Sequence, residues 1–497
     1  MRCRPRWGAF GVCCSVALGC AAGIHRGPLP SPPALPWESQ PAVVSDVESP
    51  QIALVGATLM TGAGSEIPDG VVLFEDGRID AVGPRSSVKV PAGARQIDVH
   101  GSYVTPGLID THSHLGLFGV PGLTGNDDGN EATRPVTANV RAADGFWPQD
   151  PALPRALAAG VTTALILPGS ANLIGGQGVA IKLIPGRSIE DMKFPGAPPV
   201  LKLACGENPK RVYGERKQAP STRMGNLAGY REVFQAALEY GAKFSDWQAR
   251  QQTWQREQRS HDKPPQPAPL MPPRDFGLET LLGALSGRVL VQMHCYRADE
   301  MLGMLELARE FGFRVRAFHH AVEAYKIRDV LAARGVGVST WSDWWGFKLE
   351  AYDTIRENLG LLSEAGVHAA LHSDSASLVQ RLNQEAAKSL NAARRAGVQI
   401  DRNVALSWIT SNAAWTLGIE QQTGSLEPGK MADIVVWSGD PLSVYSRVSE
   451  VFIDGLPVYE RGAQRATDFE LGQGAELGQP QERKPEPARP GATEAAP

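Results

Sequence analysis

Short apolar runs alternate with longer amphipathic stretches through the middle of this 497-residue chain. The apolar runs are rich in Val, Ile and Leu, which is typical of buried parallel strands, whereas the stretches between them repeat apolar residues at helical spacing. This number of strand–helix units favours a closed TIM-like (β/α)8 barrel over an open sheet. The predicted strands, of which the third and fourth are the least distinct, are 108–114, 161–168, 179–184, 200–205, 289–294, 315–320, 336–340 and 367–374.

Two β-rich segments flank this alternating region. Residues 51–105 and 424–465 consist of short runs of β-branched and aromatic residues separated by Gly, Asp and Pro. Neither segment has enough strands to bury a core alone. We therefore predict that they pack together as one small discontinuous β-sandwich beside a barrel formed by residues 106–423.

The two ends of the chain differ from the middle. Several arginines precede an apolar stretch that is too short for a comfortable membrane span, so residues 1–20 are interpreted as a signal peptide of lipoprotein type, with Cys20 as lipid anchor to the membrane. Export without lipidation is the alternative, because small residues before Cys20 also suit an ordinary signal peptidase. We expect a cell-envelope location, periplasmic or lipid-anchored, with a flexible tether over 21–50 and a disordered tail over 466–497.

Composition excludes some classes of partner. The net charge is -4, and the Lys and Arg residues are scattered along the chain, which argues against nucleic acid and leaves a small molecule as the expected ligand. Four of the six cysteines lie in or end the predicted signal peptide. The remaining Cys205 and Cys295 imply no disulfide framework. The oligomeric state is not indicated.

The main chemical signal is the pair His112 and His114, because a two-residue spacing on a strand puts both imidazoles on one face. Such a pair can chelate one metal ion. Two ordinary structural histidines are the simpler interpretation of an isolated pair, but further candidates end later strands, and the carboxyl ends of parallel strands meet at one mouth of a barrel. These candidates are His294, the adjacent His319 and His320, and Asp374.

Together these motifs resemble the amidohydrolase superfamily, in particular its exported imidazolonepropionase-like members. The stretch 106–116 is similar to the first-strand metal motif of that superfamily. The run 320–326 resembles the sixth-strand motif, whose first residue is a ligand. Further likeness lies in Asp343-Trp344-Trp345 with Lys348, in the run 381–388 and in the run 424–430, and it spans about residues 51–460.

The resemblance implies a divalent metal, with zinc as the expected ion, in one or two copies. It selects His320 as a ligand. His319 is then either a packing residue or a residue that supports a ligand from behind, because neighbours on a strand face opposite sides. The implied ligands are His112, His114 and Asp374 for one ion, with His294 and His320 for a second.

The residue that bridges two ions is left open between Glu207 and Lys202. Superfamily members use either a carboxylate or a carbamylated lysine from the third or fourth strand. Glu207 is preferred, because it lies at the C-terminal end of its strand, where the chemistry belongs, whereas Lys202 starts that strand.

The implied activity is hydrolysis of a C–N bond in an amide, cyclic amide or dipeptide by attack of a metal-bound hydroxide. Asp374 would carry the proton to the departing nitrogen. The alternative is a surface-anchored binding lipoprotein with a catalytically silent barrel. Five basic or aromatic features could line the pocket and hold a substrate carboxylate, or be ordinary surface groups: Lys210, Arg211, Tyr213, Arg223 and the loop 344–348.

Overall fold

The computed structural model describes residues 48–259 and 266–463. The predicted signal peptide, most of the predicted tether and the predicted tail lie outside the described residues. Within these ranges the strands are β1 Ile52–Met60, β2 Glu66–Glu75, β3 Arg78–Pro84, β4 Arg95–Asp98, β5 Tyr103–Pro106, β6 Leu108–Ser113, β7 Val161–Ile166, β8 Ile174–Lys182, β9 Val200–Ala204, β10 Leu290–Cys295, β11 Val315–His320, β12 Gly337–Thr340, β13 Ala369–Leu371, β14 Ile434–Trp437, β15 Val448–Ile453 and β16 Leu456–Glu460.

The α-helices of the described residues cover the outside of the barrel and its mouth. Among them, no helix combines the length and the apolar composition needed to cross a bilayer. The helices are α1 Ala142–Gly145, α2 Ala152–Leu157, α3 Ile189–Met192, α4 Glu207–Glu215, α5 Arg223–Gln258, α6 Phe276–Leu285, α7 Ala298–Phe311, α8 Arg328–Arg334, α9 Asn358–Glu364, α10 Leu382–Arg395, α11 Arg402–Ser407 and α12 Ser411–Leu417.

Strands β6 to β13 form a nearly closed barrel in which each strand pairs with the next along the chain. Two hydrogen bonds tie the end of the last strand to the first. The Asp374 amide donates to the His112 carbonyl at 3.0 Å, and the Ser373 amide donates to the Asp110 carboxylate at 3.0 Å. The predicted TIM-like barrel is confirmed, and these bonds bring residues more than 250 positions apart to one mouth of it.

One strand departs from the expected parallel pattern. Strand β8 runs antiparallel to both β7 and β9 and begins at Ile174, before the predicted 179–184. Antiparallel neighbours need no crossover helix, and only residues 167–173 separate β7 from β8. Reversal of this strand carries its last residue, Lys182, to the end of the barrel opposite the mouth that holds His112.

The N- and C-terminal β segments share one sheet, as the predicted discontinuous domain requires. Its strands follow the order β16-β15-β14-β5-β1-β2-β3, with β4 paired to β1. Ile434 lies opposite Pro106, and Val436 lies opposite Val104, where β14 joins β5. Apolar side chains from both segments pack in one core, which includes Leu54, Phe74, Ile434 and Phe452.

Cys205 and Cys295 form one disulfide, a bridge that the cysteine content did not predict, since it implied no disulfide framework. The two residues are 90 positions apart in the sequence, so their spacing carries no local signal. They meet because β9 and β10 are neighbours, with His294 opposite Ala204. Both cysteines are buried in the core between the barrel wall and its helices. The bridge therefore joins the two strands that carry Lys202 and His294.

Candidate metal centre and active site

The end of β6 places His112 and His114 against Asp374, which follows the last barrel strand at the same mouth. The distance to the Asp374 Oδ1 atom is 3.1 Å from the His114 Nε2 atom and 3.7 Å from the His112 Nε2 atom. One ligand atom from each of the three residues lies within 4.8 Å of the others. The structure therefore brings together three of the residues predicted as ligands.

The hydrogen bonding of His114 indicates that a cation belongs between this ring and Asp374. The His114 Nδ1 atom lies 2.7 Å from the Leu167 carbonyl oxygen, so it carries the proton and donates it. The lone pair of His114 Nε2 then faces the Asp374 carboxylate at 3.1 Å. Two acceptors at this distance need a proton or a metal ion between them, and a donor bond from the far ring nitrogen is the usual arrangement of a metal-ligating histidine.

A chain of hydrogen bonds orients His112 in the same way. The Gln292 side-chain amide donates to the Thr416 carbonyl at 2.8 Å, which directs its Oε1 atom to His319 Nε2 at 2.7 Å. The His319 Nε2 atom therefore carries the proton, and its Nδ1 atom accepts from His112 Nδ1 at 2.9 Å. The Nε2 lone pair of His112 is left free to face the cluster.

The expectation that only one of His319 and His320 points into the barrel is wrong. His320 has a φ of +67° and Ala321 a φ of +39°, so the chain leaves the extended conformation there, and alternation of faces no longer applies. The His319 ring bonds to His112, and the His320 ring lies 4.7 Å from the His112 ring. His319 supports the predicted ligand His112, while the His320 Nδ1 atom lies 3.9 Å from Asp374.

Buried ring nitrogens without hydrogen-bond partners supply the test of whether a metal fits. Both ring nitrogens of His294 and the Nδ1 atom of His320 are in this condition. Burying a polar atom without a partner is costly, and several such atoms in one cluster are the arrangement that a bound cation satisfies. His112, His320 and His372 also offer ligand atoms within 4.8 Å of one another. The residues present fit a metal centre.

His372 is a member of this cluster that the sequence analysis did not select. It precedes Asp374 by two residues, the same spacing as His112 and His114, and this co-facing pattern at the end of the last strand was the available signal. The His372 Nε2 atom accepts from the His320 amide at 3.3 Å. This ring therefore fixes the turn at His320 as well as adding an imidazole to the cluster.

Lys202, rather than Glu207, is the residue that the structure brings to His112. The buried Lys202 Nζ atom lies 3.2 Å from His112 Nε2 and donates to the Pro168 carbonyl at 3.2 Å. Lys202 is the middle residue of β9, and its long side chain runs along the barrel interior and carries the amine to the catalytic mouth.

Glu207 begins α4, and its amide donates to the Glu350 carboxylate at 2.8 Å. Among the described residues, no hydrogen bond or ion pair joins the Glu207 carboxylate to the histidine cluster. Its negative charge instead contributes to the raised pKa of Tyr296, which is due first to burial. The assignment of Glu207 as a bridging ligand stays a prediction, without support from this geometry.

Burial favours the neutral form of His112 and His294, which is the form that binds a metal ion. Burial, followed by the charge of Lys202, holds the pKa of His112 well below its ordinary value. Burial, followed by the charge of Lys348, does the same for His294. Burial also lowers the pKa of Lys202 to about 7. Burial by itself raises the pKa of Asp374, but the bond from His114 and neighbouring positive charge outweigh it and leave that pKa low.

Comparison with known proteins identifies the family of this chain. The sequence profile of the amidohydrolase family matches residues 311–459. The crystal structure of an amidohydrolase from Thermotoga maritima MSB8 has 38% sequence identity and a TM-score of 0.72, and the match covers 82% of this chain and 100% of that one.

Three further proteins are similar to this chain in sequence. Amidohydrolase tasK of Hapsidospora irregularis is 35% identical over 79% of this chain, although the chain spans only 40% of the length of tasK. The 5-methylthioadenosine/S-adenosylhomocysteine deaminase of Symbiobacterium thermophilum is 27% identical, with 78% of this chain and 85% of that protein covered. An imidazolonepropionase of Bradyrhizobium sp. is also 27% identical, over 75% of this chain and 87% of the relative.

Proposed function

This chain belongs to the amidohydrolase superfamily of metal-dependent hydrolases that act on carbon–nitrogen bonds, and we propose that it cleaves an amide, a cyclic amide or a dipeptide. The observation that carries the proposal is the cluster of His112, His114 and Asp374, in which lone pairs converge from two rings of fixed tautomer. A site that only stabilises the fold does not need a carboxylate base beside it. In this cluster Asp374 and His114 remain partly open to the pocket.

A bound divalent ion, with zinc as the proposed species, would make a water more acidic and polarise the substrate carbonyl. Asp374 is placed to take the proton from the attacking water and to deliver it to the departing nitrogen. The bond from its own amide to the His112 carbonyl holds the Asp374 backbone, so the carboxylate can exchange a proton without leaving the cluster.

We assign the bridging position to Lys202. An amine with a pKa of about 7 is substantially unprotonated at neutral pH, and such an amine can attack carbon dioxide. A nitrogen–carbon bond then forms and one proton leaves, which turns the lysine into a carbamate with two oxygens beside His112. With this ligand the site would hold two ions, and without it one.

Export to the cell envelope is part of the same proposal. The buried bridge between Cys205 and Cys295 supports it, because stable disulfides form in oxidising compartments and are rare in the cytosol of most organisms. Lipidation at Cys20 remains the proposed form of the exported protein, and the soluble exported form is its alternative.

The proposal is tested with the purified enzyme, its metal content and a panel of amides, cyclic amides and dipeptides. Asp374→Asn keeps the shape of the side chain but removes its basicity, so we expect turnover to fall by about a hundredfold to ten-thousandfold while most of the metal stays bound. His112→Ala with His114→Ala should remove the metal. Metal binding without turnover of any amide would instead favour the silent binding barrel.

A further inference from the structure

An aromatic wall begins on His320, one of the candidate ligands. The Trp341 ring stacks on the His320 ring at 4.3 Å, and the Tyr296 ring stacks on it at 5.2 Å. Trp344 stacks on Trp341 at 4.6 Å, and Phe347 meets Trp344 edge-on at 5.9 Å. The side chain of Phe347 is 55% exposed. The wall therefore runs from the ligand cluster towards solvent.

A second strand-to-helix connection adds another ring beside the cluster. Phe118, which follows β6, packs edge-on against His114 at 5.1 Å. Rings from the connections after β6, β10 and β12 thus adjoin the metal ligands. Exposed apolar surface at the mouth of a site marks binding of an apolar group, and aromatic walls bind flat or bulky apolar groups well.

Lys348 places a cation at the edge of this wall. Its Nζ atom lies 3.7 Å from the centre of the Tyr296 ring. It is 3.2 Å from the Asn208 side-chain oxygen and 3.3 Å from Glu350. The Tyr296 ring in turn stacks on the His320 ring at 5.2 Å, which locates this cation close to the cluster.

The charges around Lys348 leave it able to accept another anion. Glu350 is paired mainly with Arg223, which also pairs with Glu300 at 2.5 Å. Lys348 contacts Glu350 only at the longer distance of 3.3 Å, and its other oxygen partner is the neutral amide of Asn208. Burial lowers the pKa of Lys348, while the charges of Glu350 and Glu207 oppose that shift. An ammonium has three N–H donors, and the Asn208 and Glu350 oxygens take two of them, which leaves one for a ligand carboxylate.

We propose that this mouth selects amides that carry both an aromatic or bulky apolar group and a carboxylate. The apolar group packs on Trp344 and Phe347, and the carboxylate binds the Lys348 ammonium. This inference rests on the proposed hydrolase function, and it makes Lys348 a specificity-determining residue. N-acyl amino acids and dipeptides with an aromatic side chain have the required chemistry.

The test compares three substrates on the metal-loaded enzyme: N-acetyl-phenylalanine, N-acetyl-phenylalaninamide and N-acetyl-alanine. Lys348→Met should lower kcat/KM for N-acetyl-phenylalanine by roughly tenfold to a hundredfold, mainly through KM, because a charge-assisted hydrogen bond is lost. The carboxamide should change by less than about threefold, since it cannot make that bond. Lys348→Arg should retain most of the preference for the carboxylate.

Phe347→Ala should instead lower kcat/KM for the two phenylalanine compounds and spare N-acetyl-alanine. Leu349→Ala is the matched control, because Leu349 lies in the same loop with its side chain 81% exposed and no assigned role. An equal loss for the carboxylate and the carboxamide in Lys348→Met would show that Lys348 only supports the loop, and it would overturn the inference.

Calorimetric binding of the same three compounds separates this inference from the proposed function. Carboxylate-dependent binding that Lys348→Met abolishes, without turnover of any compound, would support the pocket and reject the hydrolase. Turnover with no preference for the carboxylate would support the hydrolase and reject the pocket. Absence of both binding and turnover with all three would reject the pocket.

Discussion

Two buried lysines on neighbouring strands of the barrel have opposite surroundings. Lys182 ends β8 at the mouth next to the β-sandwich, where its Nζ atom lies 3.1 Å from Asp433 and also pairs with Asp454. Lys202 on β9 points to the other mouth, where its partners are a neutral imidazole and a carbonyl oxygen. Lys182 therefore has two carboxylates as partners, whereas no carboxylate is in hydrogen-bond contact with Lys202.

The difference shows that the neighbours of a buried lysine decide whether it stabilises the fold or takes part in the chemistry of the site. A buried ammonium with carboxylate partners stays charged and joins the segments that supply them, here the barrel and the C-terminal part of the β-sandwich. A buried amine without such partners loses its proton more easily, and the pKa of Lys202 falls to about 7. Lys182 therefore belongs to the stability of the fold, and Lys202 belongs to the site.

The largest effect should come from Lys202→Met, which keeps the bulk of the side chain and removes the amine. We expect kcat/KM to fall by about a hundredfold or more, as for loss of a group that acts directly in catalysis, together with loss of part of the bound metal. Elemental analysis and kinetics measure both effects. Partial rescue by formate or acetate would identify the lost group as a carbamate, and near wild-type activity would remove Lys202 from the site.

Lys182→Met should show the reverse pattern. It leaves Asp433 and Asp454 buried together without a cation, so the free energy of unfolding should fall by about 3–5 kcal/mol while kcat/KM of the folded enzyme stays unchanged. Urea denaturation measures the first quantity. The double variant Lys182→Met with Asp433→Asn should recover part of the loss. A loss of activity equal to that of Lys202→Met would contradict the division between the two lysines.

The disulfide extends the comparison, because β9 is joined to β10 by a covalent bond near Lys202, whereas ion pairs secure the Lys182 end of β8. Replacing both Cys205 and Cys295 by Ser should reduce the free energy of unfolding by about 2–4 kcal/mol, since the unfolded chain regains the freedom of a long loop. Denaturation of the oxidised wild type, the reduced wild type and the double variant tests this. Equal stability of all three would mean that the bridge contributes nothing.

The smallest effect is expected for Glu207→Gln. Its carboxylate makes no described contact with the histidine cluster, so metal content should be unchanged and activity should change by less than about tenfold, below the range of an essential acid or base. Measuring the metal content of Glu207→Gln and of Lys202→Met side by side decides which of the two residues bridges the ions. Loss of one ion from Glu207→Gln alone would restore Glu207 as the bridging ligand.

Residues with a local pattern could be found from the sequence, and residues without one could not. The two-residue spacing of His112 and His114 and the position of Asp374 at a strand end are enough to indicate a site. The same reasoning preferred Glu207 over Lys202, because it counted positions along the strand and neglected the reach of a lysine side chain. It also left out His372, whose spacing to Asp374 carried the same information.

The alternation of strands and helices and the motif of two histidines at a strand end follow from the sequence by itself, because periodicity and residue spacing are local properties. The packing of two distant β segments follows from their strand content, since neither has enough strands to bury a core alone. Tertiary structure decided what depends on a neighbour's position. It reversed β8, brought Cys205 to Cys295, and turned His319 and His320 to the same side through a left-handed backbone at His320. It also placed two carboxylates beside Lys182 and an imidazole beside Lys202. The pKa of a buried amine depends on such neighbours, and these neighbours are distant from either lysine in the sequence.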